Sequence, residues 1–162
     1  MKVIGIDPGS RITGYAVVIR KSGRMHLLDA GTIKTNPKAS IPERLTTIHA
    51  QLCESIKENQ PDVAAVEAIF HHKNAQSALK LGQARGVALL ALAQHGLEIG
   101  EYPPTTVKKT VGGHGHAGKT EMIRLVSRLL GLSEDLPEDA ADAAAVAMTH
   151  IALHRFQTGV RT

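Results

Sequence analysis

The chain has 162 residues, 43% of them hydrophobic and 21% charged, a size and balance that suit one domain with its own core and leave little room for a second. No apolar run reaches the roughly 18 residues of a membrane span. The chain starts on a strand-like segment rather than a secretory leader, and a lone Cys53 permits neither an internal disulfide nor a cysteine-based zinc site, so a reducing, cytoplasmic setting is expected.

Strands are predicted over 2–7, 13–20 and 25–33, parted by Pro8-Gly9-Ser10 and by Ser22-Gly23, in the manner of an antiparallel meander. Ser40 with Glu43 three residues on has the form of a capping box, and Leu45, Ile48, Leu52 and Ile56 recur at helical spacing, which predicts a helix over 41–59. A strand at 62–67, a helix over 74–95 and a strand at 97–102 come next; beyond the break at Pro103-Pro104 helices are expected near 105–111, 119–131 and 138–156. Meander first and strand–helix alternation second imply an α/β fold, a mixed sheet with helices on both faces. One domain over 1–156 is expected, with a loose tail at 157–162.

Four carboxylates hold telling places. Asp7 closes the apolar run Val3-Ile4-Gly5-Ile6, Glu67 closes Val63-Ala64-Ala65-Val66, and Asp139 and Asp142 lie three apart near the start of one helix. The first two would emerge at carboxyl ends of strands, where α/β folds place ligands, and the helical pair would project from one face and could lean over the same edge. Crowded carboxylates repel and persist best around a cation. Magnesium suits such a set, and two ions roughly 4 Å apart can serve an in-line phosphodiester displacement. Three of them also have a plain reading, Asp139 as a helix-start acid, Asp7 as the beginning of a turn and Glu67 as a solvated strand end, whereas Asp142 sits deeper in an alanine-rich run and is harder to dismiss. Their combination carries the inference. With these four neutralised, 19 basic residues face 11 acidic ones, so the net charge rises from +4 to +8, which suits a polyanion.

Other motifs compete. The run from Gly113 to Thr120 fits the phosphate-binding loop G-x-x-x-x-G-K-T, but such a loop follows a buried strand, whereas the preceding segment contains Lys108 and Lys109 and comes directly after two prolines. His71, His72, His114 and His116 invite a transition-metal site, yet their spacing is not compact, and surface or DNA-contact roles fit them better. Ala78, Gly82 and Gly86 form a smooth helical stripe that either seats the helix on its own sheet or meets a twin across a two-fold axis.

Several stretches resemble the RuvC family of bacterial Holliday-junction resolvases: Gly5-Ile6-Asp7-Pro8-Gly9-Ser10-Arg11 with Thr13-Gly14-Tyr15, Val66-Glu67 with Phe70, the block from Asn74 to Gly86, Val107-Lys108 with Thr110-Val111, Lys119, and Asp139-Ala140-Ala141-Asp142-Ala143. The resemblance implies a ribonuclease H-like fold with a five-stranded mixed sheet, and magnesium held by Asp7, Glu67, Asp139 and Asp142, with two ions per subunit and manganese as a substitute. It also implies a homodimer that nicks two strands of like polarity across a four-way DNA junction, leaving 5′-phosphate and 3′-hydroxyl ends, beside the RuvA and RuvB branch-migration proteins. By the same resemblance Lys119 and Lys108 contact phosphate beside the metals, Lys119 among the catalytic residues, and Phe70 stacks on or wedges between junction bases. Lys73, Lys80 and Arg85 are expected to grip the DNA. His71-His72 depart from the family pattern, as does the His-bearing glycine loop before Lys119. Rival readings are a P-loop ATPase, a junction-binding protein without catalysis, and a nuclease of the same fold acting on RNA–DNA hybrids.

Overall fold

The computed structural model describes residues 1–68, 74–113 and 118–158. Strands β1 (Lys2–Asp7), β2 (Ile12–Lys21) and β3 (Arg24–Lys34) are followed by α1 (Ile41–Asn59), β4 (Val63–Glu67), α2 (Ala75–Gln94), β5 (Ile99–Tyr102), α3 (Pro104–Gly112), α4 (Lys119–Leu129) and α5 (Glu138–Thr158). The strands form one sheet in the order β3-β2-β1-β4-β5. The meander pairs antiparallel, while β4 joins β1, and β5 joins β4, in parallel. Every expected element is present. Three boundaries moved by two residues: β5 begins at Ile99, α4 ends at Leu129 and α5 runs to Thr158, the first two beside glycines in the left-handed region, Gly96 at φ 70° and Gly131 at φ 72°. None of the described helices is long and apolar enough to cross a membrane.

Local chemistry sets these elements. Ser22 and Gly23, at φ 51° and 81°, form the two-residue turn joining β2 to β3, where both central residues need positive φ. The Ser40–Glu43 box starts α1: the Glu43 carboxylate accepts from the Ser40 N–H at 2.8 Å, and the Ser40 hydroxyl accepts from the Glu43 N–H at 3.4 Å. Asn74 starts α2 by accepting from the N–H groups of Gln76 and Ser77.

The core lies on both faces of the sheet. On one side Ile4, Ile6, Val17 and Val66 pack against α1 and α2 through Ile48, Leu52, Ala84, Ala88 and Leu92. On the other, Val3, Ala16, Val18 and Ala65 meet the alanine-rich α5, with Val107 of α3 and Met122 and Val126 of α4 outside it. Helix α5 lies so close to the sheet that two strand positions have no room for a side chain. A Cβ at Gly5 would stand 2.0 Å from the carbonyl oxygen of Ala143, and one at Gly14 would stand 1.9 Å from that of Asp139. Those two contacts fix the depth and register of α5 over β1 and β2.

The smooth stripe of α2 turns away from the sheet. Ala84, Ala88 and Ala91 face inward, whereas Gly82 and Gly86 are exposed, and a Cβ on either would meet nothing within 4 Å. Leu79 and Leu90, at 64% and 51% exposure, flank them on the same outward face.

Candidate active site

Because β1 and β4 are parallel neighbours with Ile6 opposite Val66, Asp7 and Glu67 leave the sheet side by side at its carboxyl edge. The close seating of α5 brings its first turns over that edge, and Asp142 arrives from above. A cavity of about 270 Å³ is lined by Glu67, Asp142, Lys108, Lys119, Pro104 and Met122. Asp7 is electrostatically coupled to Glu67, Asp142 and Asp139, and Asp139 also lines a neighbouring cleft together with Arg11, Arg44 and Lys80.

The electrostatics tie the four together. The Asp7 carboxyl is pushed up to about 8, first by burial and then by Glu67, Asp142 and Asp139, while Lys119 opposes them. Burial likewise raises Glu67, helped by Asp142 and opposed by a hydrogen bond with Asp7 and by Lys108 and Lys119. Asp142 is raised by burial, with Lys119 and Lys108 opposing and Glu138 and Asp139 adding to the rise. Three half-buried carboxylates thus resist ionising together, a state that positive charge relieves. The donor set is all oxygen, which fits a hard divalent cation. Among the described residues no group of three or more His, Cys, Asp or Glu stands ready to hold a metal ion.

The basic residues divide. Lys119, at the first position of α4, forms an ion pair with Glu138 on α5, and that hydrogen bond, with Asp142 and Asp139 further off, raises its pKa against the effect of burial. Lys108 lines the same cavity. Lys80 is exposed beside Asp139. Arg85, expected on the DNA, is paired with Glu101 of β5 and lies at the outward groove beside Gly82 and Gly86. Phe70, Lys73 and the histidines at 71, 72, 114 and 116 lie outside the described residues. The phosphate-loop reading loses its context, because the segment before it is helix α3, capped by Gly113 at φ 74°, and no strand leads into it.

Sequence reasoning missed Arg44. It falls on the buried face of α1, four residues before Ile48, and is only 8% exposed. An arginine inside an apolar helical stripe was the available signal.

The family model for the crossover junction endodeoxyribonuclease RuvC matches residues 3–150. A RuvC from Pelotomaculum thermopropionicum is 46% identical over 93% of this chain and 92% of its own length, and one from Geobacter metallireducens is 48% identical with the same coverage of both chains. Among solved structures, Thermus thermophilus RuvC in complex with a Holliday junction superposes with a TM-score of 0.91 at 38% identity, covering 98% of this chain and 97% of that one. The yeast mitochondrial Holliday junction resolvase shares the fold, with a TM-score of 0.72 at 12% identity, over 98% of this chain and 81% of its own.

Proposed function

The chain belongs to the RuvC family of crossover junction endodeoxyribonucleases, and from that premise we propose that it resolves four-way DNA junctions in recombination and repair through Asp7, Glu67, Asp139 and Asp142. The observation that carries the assignment is the mutual coupling of half-buried carboxylates at one sheet edge, faced by two lysines. Water attacks the scissile phosphorus, the bond to the 3′ oxygen breaks, and the products are 5′-phosphate and 3′-hydroxyl ends. The protein is a metal-dependent nuclease; magnesium, two ions per subunit with manganese as substitute, supplies an activated water and charge neutralisation when bound.

The chain's own residues do the rest. Asp7 and Glu67 present oxygens from the adjacent strands β1 and β4, and Asp142 and Asp139 add theirs from the first turns of α5. Lys108 and Lys119 offset the charge that develops on the phosphoryl oxygens, with Glu138 holding the Lys119 ammonium in place.

A two-fold homodimer would set two such sites on the two halves of a junction. The outward stripe of Gly82 and Gly86 between exposed Leu79 and Leu90 supports it, because it offers a flat apolar helix face left open by the described residues. RuvA and RuvB are the proposed working partners, in the cytoplasm. The test is cleavage of an end-labelled four-way junction with magnesium, with linear duplex and Glu67→Gln as controls. Symmetric nicks lost in Glu67→Gln support the proposal. Binding without nicks supports a non-catalytic role instead, and equal activity on linear duplex or RNA–DNA hybrid removes the junction assignment.

A further inference from the structure

Beside the carboxylates runs a second cleft, of about 560 Å³, walled by Ser10 and Arg11 of the β1–β2 loop, Arg44 of α1, Ser77 and Lys80 of α2, and Asp139. Among the described residues that line it, Asp139 is the single acid and Arg11, Arg44 and Lys80 are the cations. The loop is held rigid. Thr13, fully buried, donates from its hydroxyl to the Gly9 carbonyl at 2.8 Å and accepts from the Gly9 N–H at 3.2 Å. A Cβ at Gly9 would stand 2.0 Å from the Ile12 carbonyl oxygen, so the turn cannot widen around a side chain.

The anchor is Arg44. Its Nε donates to the Thr35 hydroxyl at 3.1 Å and an Nη donates to the Ser10 carbonyl, while the Thr35 hydroxyl itself donates to Ser10 at 2.9 Å. All these partners are neutral. The ion pairs among the described residues are Arg85–Glu101 and Lys119–Glu138, so the buried guanidinium, which forms part of the cleft wall, makes no ion pair with any described residue. Burying a charge in that way is costly unless a counter-charge arrives. A carboxylate from the chain could have filled this role; the open cleft and the exposed Arg11 and Lys80 on either side point to an anion supplied from outside.

We propose that this cleft is a second phosphate subsite, which takes the phosphodiester flanking the scissile one on the strand being cut. Arg11 and Lys80 contact the phosphate oxygens and the Ser10 and Ser77 hydroxyls are within reach of them, while Arg44 is a positioning residue that holds the loop and lends it positive charge. Asp139 joins the two sites: its acid belongs to the cutting edge and its helix turn bounds the cleft. The strand would then be gripped on both sides of the bond that breaks, which aligns that bond without any base contact. The inference rests on the junction-nuclease reading above.

The test replaces, one at a time, each phosphate next to the scissile one by an uncharged methylphosphonate, and measures junction binding in a Glu67→Gln background and cleavage in the parent. One flanking methylphosphonate is expected to weaken binding roughly five- to tenfold, and an Arg11→Gln, Lys80→Gln double variant should suffer little further loss from it. Each single variant should also reduce the slope of log affinity against log salt by about 1. Arg44→Gln should lessen the same linkage penalty; if it fails to fold, the two exposed positions decide alone. The subsite is overturned if neither flanking linkage matters in the parent, or if the linkage costs the double variant as much as the parent. Failure of the parent to nick an unmodified junction would overturn the nuclease reading instead, so the two failures are distinct.

Discussion

Asp7 is expected to cost the metal-free protein much of its stability, and replacing it should make the protein harder to unfold while abolishing its activity. The carboxyl is pushed from the ordinary 3.8 to about 8, first by burial and then by Glu67, Asp142 and Asp139. Because the native chain holds that proton where the unfolded chain releases it, the native state binds more protons between about pH 4 and 8, and stability falls as pH rises through that window. At pH 7 the displacement is 7 − 3.8 = 3.2 units, which at 1.36 kcal/mol per unit gives an upper bound of about 4 kcal/mol. Relaxation of Glu67 and Asp142 reduces it, so Asp7→Asn should gain about 2–4 kcal/mol. For a chain of 162 residues that raises the melting temperature by roughly 5–15 °C. Thermal melts in EDTA at pH 5, 7 and 8.5 measure it: the gap should be small at pH 5 and widest at pH 8.5. Magnesium should stabilise the parent and leave Asp7→Asn nearly unmoved, and the variant should not nick junctions. An Asp7→Asn protein that melts at or below the parent in EDTA at pH 8.5, or a gap that ignores pH, would refute the account of crowded, unneutralised carboxylates.

Gly14→Ala should destabilise the protein by about 2 kcal/mol or more and depress nicking, since its methyl would meet the Asp139 backbone at 1.9 Å and must lift the helix that carries Asp139 and Asp142; denaturant melts and a junction assay report the two effects. Gly82→Gln meets open space among the described residues and gains helix propensity, so the monomer fold should survive while sedimentation shows weaker self-association. Lys119→Gln should keep junction affinity within a few-fold and lower the nicking rate by about 10² or more, and ATP binding should be absent in parent and variant alike. Tyr102→Phe removes the hydroxyl 2.9 Å from His150 Nδ1 and should cost about 1–2 kcal/mol in chemical denaturation, with nicking unchanged.

Much of the fold was legible because each local signal agreed with the others. The Ser40–Glu43 box, the left-handed Ser22-Gly23 pair and the strand-to-helix switches after Pro37 and before Asn74 are short-range chemistry, and the structure placed elements where they pointed. The stripe on α2 was ambiguous for a physical reason: Ala84, Ala88 and Ala91 compete with Gly82 and Gly86 as the close-packing face, and helical periodicity cannot say which small face meets the sheet. Arg85 reads from the sequence as one more cation for DNA, and its pairing with Glu101 depends on β5 lying next to β4.

By itself the sequence determined the parts and their chemistry: four acids at strand ends and on a helix face, lysines before and at the start of α4, and family motifs along nearly the whole chain. Only the tertiary structure decided how the acids divide, with Glu67 and Asp142 lining one cavity, Asp7 coupled to both, and Asp139 coupled to Asp7 while also lining a cationic cleft. It also decided that Arg44, an unremarked residue on an apolar stripe, is a buried charge holding the loop next to Asp7. The reason is that side-chain identity and periodicity are local, whereas burial, and with it the price of a charge, depends on which distant segments close around it.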